Sequence, residues 1–455
     1  MELPAALLDS LTAVEGFDRD AFLRVHESGE QVTSIRLNPL KPVAHQLPVS
    51  DKIPWSSQGY YLSGRPSFVF DPLWHAGAYY VQEASSMFLE LALKQTTDLS
   101  QPLRILDLCA APGGKSTLIQ SLISRDSVLV SNEVIKSRAA ILEENITRWG
   151  GANVIITNND PQDFSRLENF FDVVVIDAPC SGSGLFRRDP DAISEWSEQH
   201  VDLCCQRQHR ILADVWPALK QGGVLIYSTC SYSQKENEEV LDWIIDQFSA
   251  TPLPLLLDAD WHIVSVQSAT HQAPGYRFFP YKVKGEGFFI ACLRKNDGGI
   301  ANIRPPKKSL LQKPAKQELA VAESWLKPEH NMQIWKQSDR LLAFPASQTE
   351  SLLAVAEKLY VRSAGVGIGK IAGDSLIPDH ALALSMLVSD KIVTVQLKQP
   401  EALQYLRKEE VSVESKHKGW ALIQYEGIGL GWVKMLGNRV NNYYPSNWRI
   451  LKGGH

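Results

Sequence analysis

From residue 103 onward the sequence alternates short apolar runs with stretches of helical period, and that alternation narrows the possible folds sharply. The apolar runs are LRILDLCA (103–110), VLVSNE, NVIITNN, FDVVVIDA and GGVLIYSTC. The helical stretches are KSTLIQSLISR, SRAAILEENITRWG, VDLCCQRQHRILADVWPAL and KENEEVLDWIIDQF. A strand that reads as a near-continuous aliphatic run is buried on both faces. Such strands, separated by helices of this length, predict an α/β unit with a doubly wound, mainly parallel sheet. RFFPYKVKGEGFFIACLRK (277–295) predicts a terminal hairpin on that sheet.

The flanks read differently. Residues 1–85 are mixed. TSIRLNPLK predicts a strand and a Pro-punctuated turn, PSFVF and GAYYVQ predict further short strands, and MFLELALKQ (87–95) predicts a helix. The segment 296–317, NDGGIANIRPPKKSLLQKPAKQ, is polar and rich in Gly, Pro and Lys, as a linker is. Residues 318–455 follow as a separate unit of short strands and helices. The expected organisation is therefore 1–85, 86–295, 296–317 and 318–455.

Charge and composition exclude several classes. The net charge of −5 argues against a uniformly basic chain. Its distribution is uneven, with 21 Lys and Arg against 15 Asp and Glu from residue 297 onward. A polyanion partner is expected there. No apolar run approaches the ~18–20 residues of a membrane span. The N-terminus carries early acids and no basic leader, so no membrane contact and a cytoplasmic protein are expected. Six cysteines, with no CxxC pair, fit neither a disulfide framework nor a zinc site. Reduced thiols and no bound metal are the expectation.

Three strand-end loops carry the chemistry. After LRILDLC comes AAPGGKS, small residues leading into a helix near Lys115. Small residues let backbone approach a ligand, and a helix start offers free N–H groups. The loop is neither GxGxxG nor GxxxxGK[ST], which disfavours dinucleotide and triphosphate ligands. Glu133 tips the second strand, suited to a ribose diol or simply a strand-end acid. Asp160 ends the third, facing an adenine amino group or acting as a plain turn residue. The fourth strand gives Asp177, Ala178, Pro179 and Cys180, and the fifth ends at Cys230. A buried cysteine is most often a small hydrophobe. Two of them in polar, small-residue loops at one sheet edge read as a functional pair. Cys204 and Cys205 in a long helix, and Cys292 in FFIACL, read as packing.

DLCAAPGGKS, NEVIKSRAAILEENITRWGGANV, DAPCSGSGLFRRDPD and YSTCSYSQKENEEV together resemble the Nol/Nop/Sun family of RNA cytosine-5 methyltransferases. The likeness covers about 85–295, and TSIRLNPLK and YYVQEASSM resemble that family's N-terminal extension. GVGIGK, PDHALALS, GLGWVK and NRVNNYYP resemble the C-terminal region of its bacterial small-subunit (16S) rRNA members. The resemblance implies a Rossmann-like methyltransferase core at 86–295, a small α/β RNA-binding extension at 1–85, and a C-terminal RNA-binding region with a PUA-like α+β module. It implies S-adenosylmethionine as cofactor. Its methionine part would lie on Cys109, Ala110, Ala111, Pro112, Gly113, Gly114 and Lys115. Its ribose would meet Glu133, with Arg138 beside it, and its adenine Asp160. Asp177 would lie between cofactor and cytosine, Cys230 would be the nucleophile, and Cys180 would serve product release.

That chemistry suits these side chains. C5 of cytosine is a poor nucleophile until a thiolate adds to C6 and makes the ring an enamine. The base must leave its stack to reach both thiols. The expected partner is 16S rRNA or the small ribosomal subunit, and a monomer is expected. A tRNA cytosine-5 methyltransferase and a non-catalytic ribosome assembly factor are the alternatives; the intact Cys180 and Cys230 pair opposes the second. DNA methylation fits less well, since there the cysteine of the PC motif is the nucleophile. In the C-terminal third, Trp432, Tyr443, Tyr444 and Trp448 interleave with Lys434, Arg439 and Arg449. These rings read either as base-stacking platforms or as the core of a small module.

Overall fold

The computed structural model describes residues 3–43, 48–301, 311–411, 417–437 and 439–451. Among them ten strands form one large mixed sheet. Its centre is parallel and runs, across the sheet, Leu219–Thr229, Phe171–Asp177, Arg104–Asp107, Val128–Asn132 and Val154–Thr157. Phe288–Lys295 pairs antiparallel with Leu219–Thr229, and Pro274–Phe278 pairs with Phe288–Lys295, which is the expected hairpin. The chain order reverses between Arg104–Asp107 and Phe171–Asp177. Ligands bind open α/β sheets at such a switch point, outside the carboxyl ends of the strands.

Two-sided burial accounts for the aliphatic runs. Val173, Val174, Val175 and Ile176 are all fully buried. Alternate residues feed two different cores. Leu106, Val174 and Ile176 pack under the helices Glu198–Val215 and Glu238–Gln247. Ile105, Val173 and Val175 pack under Leu89–Thr96, Gly114–Leu122 and Lys136–Trp149. No helix among the described residues is long and apolar enough to cross a membrane.

The flanking regions depart from the expectation in four ways. PSFVF is a single 3-10 turn, Phe68–Phe70, because Pro66 removes a donor and Asp71 caps the next helix through Leu73 N (2.9 Å). Of the expected linker, 302–310 lies outside the described residues, but Leu311 is buried and Gln312 N donates to Lys336 O (2.9 Å). The unit after it is not separate. Strand Val361–Ala364 pairs antiparallel with Val154–Thr157 and extends the core sheet. Trp335, Phe344 and Leu352 join the same apolar cluster as the core. Finally, the two ends of the chain share a core. Ile35, Leu73 and Tyr79 pack with Leu397, Tyr405, Leu430, Val433 and Tyr444.

The aromatics of the C-terminal third divide accordingly. Trp432 and Tyr444 are buried, and Trp432 Nε1 donates to Asp379 O (2.8 Å), so both are core. Tyr443 is exposed, against Trp420. His380 sits edge-on to Tyr444 and Trp448, with both ring nitrogens buried and without a partner. Burial, then the charges of Arg148 and Lys41, push it down to about 3 from 6.5. The unfolded chain therefore takes up a proton below pH 6.5 that the folded chain refuses, and stability is lost as pH falls toward 3. His380→Leu removes that loss. The stability of the variant relative to the parent should improve by about 2 kcal/mol between pH 8 and pH 5 in denaturant titrations. An unchanged difference would mean that His380 is protonated in the folded protein.

Candidate active site

Three loops meet at the carboxyl edge of the sheet, beside the switch point. The first leaves strand Arg104–Asp107 and enters helix Gly114–Leu122 through Gly113, whose φ of +115° a side chain would strain. Two side chains of the neighbouring helix Lys136–Trp149 hold this loop. Arg138 donates to Ala111 O (2.9 Å) and Asn145 to Pro112 O (2.8 Å). The other two loops carry Cys180 and Cys230.

The sulfur atoms of Cys180 and Cys230 lie 3.1 Å apart. The chain forms this contact because the two loops are laced together. Gly184 N donates to Cys230 O (2.8 Å), and Tyr232 N donates to Ser183 Oγ (3.0 Å). A Cβ on Gly184 would stand 2.6 Å from Gly287 O and 2.7 Å from Cys230 O, so only glycine allows this approach. Beneath them lies Glu236, fully buried. One of its oxygens accepts from Ser181 N (2.8 Å) and Gln208 Nε2 (3.3 Å). The other accepts from Ser181 Oγ (2.6 Å) and Ser231 Oγ (2.5 Å). The carboxylate thus ties one cysteine loop to the other. A buried pair adds support: Arg277 binds Glu238 through Nε (2.5 Å) and donates to Tyr232 O (2.8 Å). The N-terminal helices Ala5–Ser10 and Arg19–Glu27 buttress the outside, packing Leu7, Leu8 and Phe22 with Phe186 and Tyr232.

Charge is arranged around the thiols. Lys115 Nζ meets Asp177 Oδ2 at 2.8 Å, and Ser228 Oγ donates to Asp177 Oδ1 (3.0 Å). Burial works against the Lys115 charge, but Asp177, with help from Asp107 and Cys230, outweighs it and Lys115 stays cationic. Cys180 is held well above the ordinary thiol range, first by its contact with Cys230 and then by burial, so it keeps its proton. Asp107, fully buried, is pushed up to about 7 by burial, partly offset by Ser116 Oγ at 2.6 Å. Burial raises Cys109 as well, which marks it as an inert thiol.

The cleft at this edge is lined by Cys109, Ala110, Ala111, Pro112, Gly114, Lys115, Asp177 and Cys230. The structure therefore brings together most of the residues singled out in the sequence. Gly113 shapes the loop from behind. Cys180, Arg138, Glu133 and Asp160 stand outside this lining: Cys180 directly behind Cys230, and Glu133 and Asp160 at the ends of adjacent strands. Glu133 Oε1 accepts from Ile135 N (2.9 Å), and Oε2 lies 3.5 Å from Arg138. Asp160 caps a 3-10 turn through Gln162 N (3.1 Å) and lies 3.2 Å from Arg210. Cys204 and Cys292 are buried and Cys205 half-buried, all away from the cleft, as packing residues are. The far wall was not anticipated: Tyr80, Glu83, Leu185, Arg188 and Phe288. Glu236 was also missed, because one acid in KENEEV carries no local mark.

The donor set fits S-adenosylmethionine. The loop from Cys109 to Lys115 presents backbone rather than bulk; a Cβ on Gly114 would already come within 3.3 Å of Tyr80 Cε1. Asp107 Oδ1 is buried without a partner directly behind it.

Glu236→Gln should test the lacing. An amide places a donor where two serine hydroxyls donate, leaving buried groups unpaired at about 1–3 kcal/mol. We expect a lower melting temperature and turnover reduced about 10- to 100-fold. Affinity for S-adenosylmethionine, measured by calorimetry, should hold. Equal loss of cofactor binding would show that Glu236 merely supports the fold.

Three family models match the chain. The N-terminal domain of 16S rRNA methyltransferase RsmF matches residues 3–84, 16S rRNA methyltransferase RsmB/F matches 94–294, and the methyltransferase RsmF PUA domain matches 393–450. The chain is 32% identical over 442 residues to ribosomal RNA small subunit methyltransferase F of Aeromonas salmonicida, covering 90% of each chain. It is 29% identical over 443 residues to the protein of that name from Enterobacter sp., covering 90% of this chain and 88% of that one. Among solved structures, a methyltransferase homolog protein from Pyrococcus horikoshii superposes with a TM-score of 0.51 at 27% identity, covering 64% of this chain and all of that one. NSun6 from Pyrococcus horikoshii, solved with SFG, shares the fold at a TM-score of 0.54 and 19% identity, covering 65% and 98%.

Proposed function

Because the chain belongs to the 16S rRNA methyltransferase RsmB/F family and is an S-adenosylmethionine-dependent RNA methyltransferase, we propose that it methylates C5 of a cytosine in 16S rRNA through a covalent bond from Cys230 to C6. The observation that carries this reading is the pair of thiols 3.1 Å apart beside the Lys115–Asp177 pair. One thiol is needed to add and a second to assist release, and the chain laces two loops together to juxtapose them.

Bound S-adenosylmethionine supplies an electrophilic methyl group on a sulfonium. In our reading the Cys109–Lys115 loop holds its methionine part, Glu133 its ribose and Asp160 its adenine, while Arg138 fixes both Glu133 and the loop. Asp177 accepts from the exocyclic amino group of cytosine and orients the ring. The Cys230 thiolate forms the S–C6 bond, and the ring electrons shift so that C5 attacks the methyl carbon. Lys115, paired with Asp177, holds that carboxylate in place on the cleft wall it shares with Cys230. To finish, the proton on C5 leaves, C5=C6 re-forms and the S–C6 electrons return to Cys230. Cys180 hands its proton to that sulfur and takes the C5 proton in exchange.

Bisulfite mapping of 16S rRNA from cells with and without the gene tests the reading. One or more cytosines should be protected only when the gene is present. Methylation found on another base or another atom would refute it.

A further inference from the structure

A second hollow adjoins the cleft. It shares Tyr80 and Val81 of strand Tyr79–Val81 with the cleft's lining, and is walled besides by Arg65, Phe68, Trp74, Asn145 and Arg148. Its lining carries no carboxylate. The two arginines differ. The Arg148 guanidinium lies 4.4 Å from the Trp74 ring centre and 4.9 Å from that of Trp448, and Glu144 neutralises it. Arg65 is exposed, stands 5.7 Å from the Phe68 ring centre and has no carboxylate partner among the described residues. The hollow thus offers aromatic walls, one free cation at the rim, and a wall shared with the cleft that Cys230 lines.

We propose that this hollow receives the nucleotide next to the target cytosine in the same RNA strand, its base against Phe68 and Trp74 and its phosphate at Arg65. The inference rests on the function proposed above. A cytosine drawn out of its stack leaves its neighbour with one bare face, and an aromatic wall one step along the strand replaces that stacking. Stacking tolerates any base, so this subsite holds the strand in place without selecting sequence. A phosphate at an exposed arginine makes its share of the binding salt-sensitive. The walls come from the N-terminal extension and from the helix that anchors the cofactor loop through Asn145. The subsite therefore fixes the strand relative to the methyl donor.

The test uses the full chain and 16S rRNA from cells lacking the gene. In filter binding at low salt, Arg65→Glu should weaken RNA affinity about tenfold, with the difference shrinking at high salt. S-adenosylmethionine affinity should not change. Arg65 is exposed, so this variant folds even where Phe68→Ala does not. In a second arm, Cys180→Ala is trapped on the RNA, trimmed with nuclease and irradiated with ultraviolet light. Mass spectrometry should find the nucleotide beside the trapped cytosine linked to the peptide 65–81. If the adduct forms on Cys230 but the cross-link falls elsewhere, or Arg65→Glu binds RNA normally, the subsite is wrong and the chemistry stands. If no adduct forms, the covalent reading fails and the subsite assignment falls with it.

Discussion

Cys230→Ala should reduce methyl transfer by at least about 10⁴-fold, because the chemical step loses its nucleophile rather than one of several aids. Cofactor affinity should be unaffected, since the loop from Cys109 to Lys115 is anchored from Arg138 and Asn145 and not from the cysteine loops. Cys180→Ala should behave oppositely. Addition and methyl transfer proceed, but the proton exchange that expels Cys230 is lost, and protein accumulates on RNA as a complex that survives denaturing electrophoresis. A Cys180→Ala/Cys230→Ala double variant should form none. The assignment of roles is wrong if Cys230→Ala traps RNA or if Cys180→Ala turns over at the parental rate. Contact with Cys230 first, and burial second, holds the Cys180 thiol well above the ordinary thiol range, as suits a proton donor to the departing sulfur.

Truncation after residue 296 should leave a protein without cooperative unfolding. The sequence alone argues the reverse, since the parallel strands and their helices are complete by then. The structure shows why that fails. Strand Val154–Thr157 would become a bare apolar edge, having lost Val361–Ala364. The core would lose its contacts with Trp335, Phe344, Leu352 and Val355. The N-terminal sheet would lose Tyr405, Leu430, Val433 and Tyr444. Each fully buried large side chain contributes roughly 1.5–3 kcal/mol, against about 5–15 kcal/mol of net stability for a typical domain. We expect aggregation, dye binding to exposed apolar surface and no sharp melting transition. A monomeric fragment that unfolds cooperatively and binds cofactor would show the C-terminal third to be an independent appendage.

What the sequence made legible follows from local physics. Strand Phe171–Asp177 announces itself because both faces are buried, and no polar residue fits between Val173 and Ile176. The loops carrying Cys180 and Cys230 stand out because each ends such a strand. Glu236 stays hidden because its four donors come from three separate segments, and only the folded chain assembles them. Val361–Ala364 is short and half-polar, so nothing local marks it as the edge of a sheet whose centre lies two hundred residues upstream. Trp432 and Tyr444 carry the same letters as an RNA-stacking surface; only their burial shows that they hold the module together.

The core shared by the two ends of the chain has a consequence in time. Ile35, Leu73 and Tyr79 leave the ribosome early, while Leu397, Tyr405 and Val433 come some three hundred residues later. At about 5–20 residues per second the first half of that core waits on the order of fifteen to sixty seconds for the second. The central sheet can close in the interval, and the N-terminal apolar face cannot. A nascent chain of this protein is therefore an exposed hydrophobic surface for most of its synthesis, and chaperones that act at the ribosome exit have a defined stretch to shield.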